Sequence, residues 1–489
     1  MQPAFKLEYI FVFKEVYIMK RLDVIPKPNK VEFLGGEVDP SELEITYIED
    51  KSLADEAYVL TVVKSGIELR YGSPSGKFYG EQTLAQLGES CPRVRIEDRP
   101  AYKYRGFMLD TVRHIFTVEQ TKKIIDAAAE VKMNRMHWHL TDDQGFRLTL
   151  DSHPEITEKA SVRPDSAFGS LDEHGEYGGC FTKDELREIV DYCAERFITV
   201  IPEFDVPGHC SALLHACPQL SCSGGEVEVK THQGIFEDIL CAGKDETLQV
   251  VFDILSEIID IFPSEYIHIG GDEAPKKHWQ SCPDCQRRIK ENSLKNEEEL
   301  QGWFTNQIVE FLASKGRKAI VWNESLNSGI VDGSVTVQMW MDKKKRSYAF
   351  ADKGGKVIAS DFFHYYCDYP YAMTPLIKTY NYEPAPKKLK KPENIIGVET
   401  PIWTEFINNF DRLCELFFPR LAAVAETGWT DRENKSAADF MRRFRIYAPH
   451  LERLGIKPAP PQEWNPSPIA RIRGTFSFTH NMVMKKGEK

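Results

Sequence analysis

The segment TVIPEFDVPGH, residues 199–209, joins an apolar run to polar and charged residues that follow it directly. A short, nearly continuous apolar run is typical of a strand that is buried on both faces of a parallel sheet. Seven further runs have the same character, and helical patterns separate several of them. The eight predicted strands are Tyr104–Val112, Arg135–Leu140, Thr199–Asp205, Tyr266–Gly271, Lys318–Glu324, Val335–Trp340, Lys356–Asp361 and Ile395–Trp403.

Two of the intervening helices have clear start signals. Thr117 and Gln120 have the spacing of a capping box, and an apolar stripe follows them. Thr182 and Glu185 open a second helix, which we expect to run to about Arg196. Eight apolar strands that alternate with helices predict an α/β fold, specifically a (β/α)8 TIM barrel.

The barrel is predicted to occupy residues 101–455, preceded by a small N-terminal α/β (α+β) domain over residues 1–100. In that domain Ala57 to Val63 alternates like a strand, and Gly80 to Leu87 has the pattern of a short amphipathic helix. The run EDRPA at residues 97–101 is expected to be the linker, since a proline disfavours helix in the residue before it. We expect residues 456–489 to form a tail that packs on the barrel or is partly disordered.

The composition excludes several classes of protein. The 489 residues carry a formal net charge of −12, with 42% hydrophobic and 28% charged residues, which is an ordinary globular balance. This acidity argues against nucleic-acid binding, and no run approaches the roughly 20 apolar residues of a membrane helix. The apolar residues 9–13 are too few for a signal peptide. We therefore expect a cytoplasmic monomer or homodimer with no nucleic-acid or membrane partner.

Eleven cysteines spread along the chain favour free thiols in a reducing compartment, although a bridge among Cys217, Cys222 and Cys241 stays open. Cys282 and Cys285 have the spacing of a zinc-ligand pair. A tetrahedral zinc site needs two further ligands, and the sequence has no second C-x-x-C motif. The pattern therefore favours a helix-entry turn over structural zinc, and we expect no metal and no organic cofactor.

Polar, charged and aromatic residues follow the predicted strands. The active site of a TIM barrel lies at the C-terminal ends of its strands, so these residues are expected to meet at one rim. Trp322, Trp340 and Trp403 offer flat apolar walls, which suit the C–H faces of a sugar ring. Charged residues at the same rim suit the recognition of sugar hydroxyls. These are Arg113, Asp368 and Glu405.

The adjacent pair Asp272 and Glu273 is the most informative feature of this rim. Glycoside cleavage ordinarily uses two carboxyl groups that face each other across the scissile bond. Neighbours that leave a strand point in opposite directions, so one member of this pair needs another role. Gly270 and Gly271 permit a sharp bend or a close backbone approach. The structural alternative is a helix N-terminal turn, in which both carboxylates only favour the helix dipole.

Four segments together resemble the β-N-acetylhexosaminidases of glycoside hydrolase family 20. They are RH at 113–114, HLTDDQ at 139–144, IPEFDVPGH at 201–209 and HIGGDE at 268–273, in the family's order. The similarity extends from VIPKP at 24–28, through FYGEQTL at 78–84 in the small domain, to WTE at 403–405. It implies an exo-acting, retaining hydrolase that removes terminal N-acetylglucosamine or N-acetylgalactosamine from a carbohydrate substrate without metal or cofactor.

The resemblance also implies substrate-assisted catalysis, in which the 2-acetamido carbonyl of the substrate is the nucleophile. Glu273 would be the general acid and then the base, kept protonated by apolar surroundings and its neighbour's charge. Asp272 would stay ionised, orient the acetamido group and stabilise an oxazolinium-like intermediate. The implied supporting roles are a hydrogen-bonded pair near the acid (Asp142 and His209), a donor to the acetamido oxygen (Tyr366), contacts to the outer hydroxyls (Arg113 and Glu405), a contact at the far end of the sugar (Asp368) and the pocket walls (Trp322, Trp340 and Trp403).

The segment around Tyr366 departs most from the family's pattern, because Tyr365 and Tyr366 are adjacent and Cys367 stands where an aliphatic residue is common.

Two other functions fit part of the sequence. A catalytically silent sugar-binding barrel would keep the pocket, and the intact acidic pair argues against it. A metal-dependent barrel hydrolase would use His137, His139, His209 and Asp272, since the first two share a strand face.

Overall fold

The computed structural model describes residues 21–166, 175–341 and 344–484, so the apolar run at residues 9–13 lies outside the described residues. The first unit is a mixed five-stranded sheet. Its strand order is β1-β5-β3-β4-β2, and helix α1 packs against β3 and β4. The strands are β1 Lys30–Val38, β2 Ile45–Glu49, β3 Tyr58–Val63, β4 Gly66–Tyr71 and β5 Cys91–Asp98, and the helix is α1 Pro74–Ala85.

Two details of this unit differ from the sequence prediction. Helix α1 starts at Pro74, well before Gly80, because proline is readily accepted at the first position of a helix. Strand β5 continues to Asp98, so the connection to the barrel begins at Arg99 rather than at Glu97. Asp98 is buried and accepts hydrogen bonds from the side chains of Tyr58 and Trp429 (2.6 and 2.8 Å).

The second unit is the predicted barrel. Eight parallel strands pair in sequential order, and the last strand pairs with the first to close the sheet. This confirms the TIM barrel and its small preceding domain as the fold class. The barrel strands are β6 Tyr104–Asp110, β7 Arg135–His139, β8 Thr199–Glu203, β9 Tyr266–His268, β10 Lys318–Trp322, β11 Thr336–Met339, β12 Lys356–Ala359 and β13 Ile395–Ile402.

Helices surround the barrel, and the capping boxes predicted at Thr117 and Thr182 are both present. The second of these helices ends at Ala194, two residues before the predicted end. The helices are α2 Val118–Glu130, α3 Pro154–Ala160, α4 Lys183–Ala194, α5 Ser211–Ala216, α6 Asp245–Ile261, α7 Lys277–Ser281, α8 Pro283–Glu291, α9 Glu297–Ser314, α10 Lys344–Lys353, α11 Phe362–Tyr365, α12 Leu376–Tyr380, α13 Phe410–Phe417, α14 Arg420–Trp429, α15 Ala437–Arg453 and α16 Pro468–Met484.

Buried polar contacts dock the small unit on the barrel. Lys132, which follows α2, donates to the hydroxyls of Tyr58 and Thr83 (2.9 and 2.7 Å). Arg105 of β6 forms a bidentate ion pair with Glu56, with both distances 2.9 Å. The two units therefore share a specific polar interface.

The predicted tail contains helix α16. The ring of Phe478 packs against the rings of Tyr369 and Phe406, with centroids 5.7 and 5.3 Å apart. Tyr369 and Phe406 also line the rim cavity described below, so the described part of the tail supports that rim. Within the described ranges, none of the helices combines the length and the apolar character that crossing a membrane requires.

Candidate active site

A cavity of about 320 Å³ lies at the C-terminal mouth of the barrel. Ten of the eleven predicted site residues line it, and they come from the connections after seven different strands. The predicted lining residues are Arg113, Asp142, His209, Asp272, Glu273, Trp340, Tyr366, Asp368, Trp403 and Glu405. A larger cavity, of about 760 Å³, lies at the opposite mouth beside Tyr104, Arg135 and Lys356, away from the end where barrel enzymes place their chemistry.

Trp322 is the predicted wall residue that does not line this cavity. Its side chain is only 1% exposed and lies one layer deeper, with its ring 6.2 Å from that of Trp403. Its indole N–H donates to Glu203 Oε1 at 2.9 Å. Trp322 thus supports the floor of the cavity, because it is the last residue of β10 and its side chain stays buried inside the barrel.

The acidic pair lies on an irregular turn between β9 and α7. The φ angles of Gly270, Gly271 and Glu273 are 62°, 98° and 42°, in the region that favours glycine. A Cβ atom on Gly270 would lie 1.6 Å from Asp205 Oδ1, so this position requires glycine. Because α7 begins only at Lys277, the pair is not a helix N-terminal turn.

The expectation that Asp272 and Glu273 point apart was wrong. It assumed that β9 runs to Gly271, but the strand ends at His268 and the turn brings both carboxyls into one cavity. His209 Nε2 lies 3.8 Å from Asp272 Oδ2 and 3.7 Å from Glu273 Oε2. The His209 imidazole therefore lies near both carboxyl groups.

Asp272 has an unusual environment. It is 8% exposed, and its Oδ1 has no hydrogen-bond partner among the described residues. Burial and the charge of Asp205 raise its pKa well above the usual range. Burial also raises the pKa of Asp205, to about 7, and Asp205 Oδ1 accepts the Gly271 N–H at 3.1 Å. Both shifts disfavour the ionised form of Asp272 in the free site, which is opposite to the direction that the resemblance implies.

Burial also raises the pKa of Glu273, opposed by the positive charges of His209 and Arg113. The direction agrees with the prediction of a protonated acid. The charges that add to the effect belong to Asp142 and Asp143, however, rather than mainly to Asp272. Glu324, which the sequence did not single out, accepts the Glu273 N–H at 3.4 Å and the Trp340 indole N–H at 3.3 Å.

Asp142 and His209 lie together as predicted, with His209 Nδ1 3.2 Å from Asp142 Oδ1. Asp143 Oδ2 is at 3.3 Å from the same nitrogen. Burial alone would lower the pKa of His209, but Asp142 and the other carboxylates raise it well above the usual range. These carboxylates therefore favour the protonated form of the imidazole, which faces the two candidate catalytic carboxyls.

A buried polar network supports Asp142 from below. His139 Nε2 lies 2.8 Å from Asp142 Oδ2, and its Nδ1 is bonded to Glu203. His137 lies between Glu203 and Glu399, at 3.1 and 2.9 Å. Against the effect of burial, these carboxylates raise the pKa of His137 to about 9 and that of His139 to about 10.

This network does not fit the metal-dependent alternative. Carboxylates engage both ring nitrogens of His137 and both of His139. Neither imidazole therefore has a free lone pair for a metal ion shared with His209 and Asp272. Glu203 was not among the predicted site residues; its signal in the sequence is a charged residue inside an apolar strand run.

Arg113 holds one side of the cavity. Its guanidinium contacts Asp110 (3.2 Å), Asp142 (2.7 Å) and the side-chain oxygen of Gln144 (2.8 Å). It also lies 5.1 Å from the ring centroid of Trp403 and 3.9 Å from Glu405 Oε1. The arginine is thus fixed in place before any ligand binds.

Aromatic rings form another side of the cavity. The rings of Trp340 and Tyr366 stack with centroids 6.0 Å apart. Burial raises the pKa of Tyr366 well above its usual value, so its hydroxyl stays a donor. Tyr365 instead packs with Val398 and Val424 away from the cavity, which settles which of the two tyrosines faces the site. Asp368 Oδ1 is a second buried oxygen with no partner among the described residues.

Fold and site together define the class of barrel glycoside hydrolases, with carboxyl, arginine and aromatic groups at the C-terminal mouth. Residues 102–432 match the model of the glycosyl hydrolase family 20 catalytic domain, and residues 39–99 match domain 2 of that family. The chain belongs to glycosyl hydrolase family 20.

Individual relatives agree with this assignment. The chain is 37% identical to a β-hexosaminidase of Porphyromonas gingivalis over 88% of this chain, although the match spans only 59% of that protein. It is 35% identical to a β-hexosaminidase of Akkermansia muciniphila, over 86% of this chain and 88% of the relative. The crystal structure of an exo-β-N-acetylglucosaminidase from Vibrio harveyi in complex with N-acetylglucosamine matches with a TM-score of 0.82 and 29% identity, over 90% of this chain and 78% of that one.

Proposed function

We propose that this chain is an exo-acting, retaining β-N-acetylhexosaminidase that uses the 2-acetamido group of its substrate as the nucleophile. Membership of family 20 supports this activity, and the relative from Vibrio harveyi that binds N-acetylglucosamine supports the sugar class. The roles of individual residues follow from the geometry of the cavity.

The observation that carries the proposal is the unpartnered Oδ1 of Asp272. A buried carboxylate oxygen without a donor is costly, so the site is complete only when a ligand supplies one. The N–H of an acetamido group is such a donor. A plain glucoside has a hydroxyl at this position, which both donates and accepts hydrogen bonds, and it lacks the carbonyl oxygen that attacks the anomeric carbon. Binding this N–H favours the ionised form of Asp272 and so lowers its pKa.

The chemistry then proceeds in two steps. Glu273 gives its proton to the glycosidic oxygen while the acetamido oxygen bonds to the anomeric carbon and the glycosidic bond breaks. Asp272 balances the positive charge on the acetamido nitrogen, and the Tyr366 hydroxyl orients the acetamido oxygen. In the second step Glu273, now ionised, removes a proton from water, which adds to the anomeric carbon and releases the acetamido oxygen.

The cavity also supports exo action. Its volume of about 320 Å³ is at the lower end for ligand sites, which suits one terminal sugar ring. Arg113 with Glu405, and the free oxygen of Asp368, are placed to bind the outer hydroxyls. Trp340 and Trp403 provide the apolar walls.

The experiment compares paired aryl substrates with and without the 2-acetamido group, otherwise identical. We expect hydrolysis of the N-acetylated substrate only, with the β-anomer of the sugar as the first product. Equal cleavage of the plain glucoside would overturn the mechanism. Binding of N-acetylglucosamine without turnover of any such substrate would favour the silent sugar-binding barrel instead.

We also retain the cytoplasm as the proposed location and a monomer or homodimer as the proposed state. None of the eleven cysteines, all of which the structure describes, forms a disulfide, which supports a reducing compartment. Fractionation of cells and sedimentation of the purified protein test these two points.

A further inference from the structure

Four cysteines converge outside the active site. Cys222 and Cys241 belong to the segment between β8 and α6, residues 204–244, and Cys282 and Cys285 lie at the start of α8. The Sγ of Cys241 is 3.7 Å from that of Cys282 and 3.6 Å from that of Cys285. The Sγ atoms of Cys222 and Cys285 are 3.8 Å apart, and all four Sγ atoms lie within 4.8 Å of one another.

These separations fit a tetrahedral metal site. A disulfide would require about 2.05 Å between two sulfurs, which is far shorter than any of these distances. In a tetrahedral zinc site with Zn–S bonds of about 2.3 Å, neighbouring sulfurs lie about 3.8 Å apart. The three close S···S distances of 3.6 to 3.8 Å match the zinc geometry.

The backbone around the cluster is built to bring the sulfurs together. A Cβ atom on Gly243 would lie 2.3 Å from the backbone nitrogen of Cys285, so only glycine lets the chain after Cys241 pass this close to α8. Cys241, Cys282 and Cys285 are buried and Cys222 is partly exposed. A closed, buried set of four sulfurs is typical of structural rather than catalytic zinc.

Cationic side chains bond to the backbone of the segments that carry the four cysteines. Lys244 donates to the carbonyls of Gln219 and Ser221, both at 2.7 Å. Arg287 and Arg288 each donate to the carbonyl of Gly243, at 3.1 and 3.2 Å. Arg287 also pairs with Asp284 and Glu291, and Arg288 pairs with Asp245, so these contacts tie α8 to the segment that carries Cys241.

We propose that Cys222, Cys241, Cys282 and Cys285 bind one Zn²⁺ ion as a closed structural site. The expectation of no zinc rested on the absence of a second C-x-x-C pair from the sequence. Here the other two ligands come singly from a long connection, and only the fold brings them to the Cys282–Cys285 turn. Soft thiolate ligands in tetrahedral geometry select zinc over the hard cations.

The ion would join two segments that both reach the active site. Gln233, Gly234 and Ile235 lie between Cys222 and Cys241 and line the sugar cavity. The other pair of ligands follows the turn that carries Asp272 and Glu273. The indole N–H of Trp279 donates to the carbonyl of Leu240 at 3.0 Å, so the same two segments already touch beside the cluster. Zinc would fix this wall without taking part in hydrolysis.

The first test measures zinc in the purified full chain, after expression with added zinc and gel filtration without it. We expect about one zinc per chain in wild type and in Cys217→Ser, a matched control that removes a buried cysteine of the same segment outside the cluster. Cys222→Ser should lose most of the zinc, and Cys222→His should retain it, because Cys3His is also a structural zinc set. A wild-type content below about one zinc in ten chains would overturn the proposal, as would equal zinc loss in Cys217→Ser and Cys222→Ser.

The second test does not depend on how the variants fold. Wild-type protein expressed with Co²⁺ in place of zinc should show the strong visible absorption of tetrahedral cobalt together with a thiolate charge-transfer band. Native protein should also have fewer titratable thiols than protein denatured in the presence of a chelator, and titration of the thiols with a mercurial should release one metal per chain. Octahedral cobalt spectra, or four reactive thiols with no metal released, would contradict the site. Neither readout depends on hydrolysis, so failure of the proposed function leaves this proposal separately testable.

Discussion

Asp272 illustrates how one atom can define a substrate. Its Oδ1 is buried and has no partner among the described residues, while Asp205 and Glu324 place further negative charge nearby. A positive or hydrogen-bond-donating group must therefore enter the cavity for Asp272 to hold its charge. An oxazolinium-like intermediate offers both, because its nitrogen carries a proton and positive charge.

Replacement of Asp272 by Asn should lower kcat on an aryl N-acetylglucosaminide by about 10²- to 10³-fold, the scale for losing one electrostatic contact to a developing charge. The matched control is Asp368→Asn, which alters the other buried carboxyl with an unpartnered oxygen in the same cavity. Because Asp368 is placed to bind an outer hydroxyl, we expect that variant mainly to raise KM. Steady-state kinetics of both variants check the prediction, and an equal effect on kcat would contradict the assignment.

The pH dependence of hydrolysis should identify Glu273. Burial raises its pKa, so the acid stays protonated to higher pH than an ordinary glutamate, and kcat/KM should fall as the pH rises through that raised pKa. Glu273→Gln has no proton to lose at this position. We expect the variant to lose the alkaline limb for an activated aryl substrate, and to lose about 10²- to 10⁴-fold more activity on a disaccharide with a poor leaving group. An unchanged alkaline limb would assign the acid to another group.

Site residues that stand in motifs were predictable from the sequence, whereas residues that only packing brings to the site were not. Asp272, Glu273 and Arg113 stand in recognisable segments, and the cavity contains all three. Glu324 is the last residue of a predicted strand and has no motif around it, yet it accepts the backbone N–H of Glu273. The pKa directions could not be predicted from sequence either, since the raised pKa of Asp272 depends on its own burial and on the charge of Asp205 beside it.

Among the structural elements, the strand interiors were predictable and the strand ends were not. All eight barrel strands form where apolar runs were found, because burial on both faces demands such runs. The end of β9 depends instead on local backbone geometry. Gly270 and Gly271 follow the strand with positive φ angles. The two carboxyls after them therefore line one cavity instead of pointing in opposite directions.

This turn can be tested with a pair of glycine variants. Gly270→Ala and Gly329→Ala both place a methyl group at positive φ, at 62° and 73°, which costs about 1–2 kcal/mol in either position. The added Cβ of Gly329→Ala meets nothing within 4 Å, whereas that of Gly270→Ala lies 1.6 Å from Asp205 Oδ1. We expect Gly329→Ala to keep full activity.

Compared with Gly329→Ala, Gly270→Ala should lower the free energy of unfolding by about 2 kcal/mol more, because Asp205 and the turn must both move. It should also lose most of its activity, since the turn carries Asp272 and Glu273. Denaturant unfolding and hydrolysis rates of the two variants give the comparison. If Gly270→Ala matched Gly329→Ala in both, the turn would be far more adaptable than its contacts indicate.

The molecule as a whole depends on contacts between units that are distant in sequence. Asp98 ends the last strand of the small unit, and its partners include Tyr58 of the same sheet and Trp429 and Lys132 of the barrel. No local pattern predicts such a convergence, because the residues come from four separate segments. The small unit therefore has a defined docking position, and its stability should be coupled to that of the barrel.

The docking interface gives the last prediction. Lys132 is completely buried among Tyr58, Thr83 and Asp98, so Lys132→Met leaves the charge of Asp98 without its cationic partner, and we expect a loss of about 3–5 kcal/mol in the free energy of unfolding. The matched control is Arg99→Ala, which removes an exposed ion pair to Asp431 from the connection between the same units and should cost less than about 1 kcal/mol. Denaturant unfolding followed by tryptophan fluorescence measures both, with Trp429 as a reporter at the interface. Equal losses in the two variants would show that the buried lysine does not hold the units together.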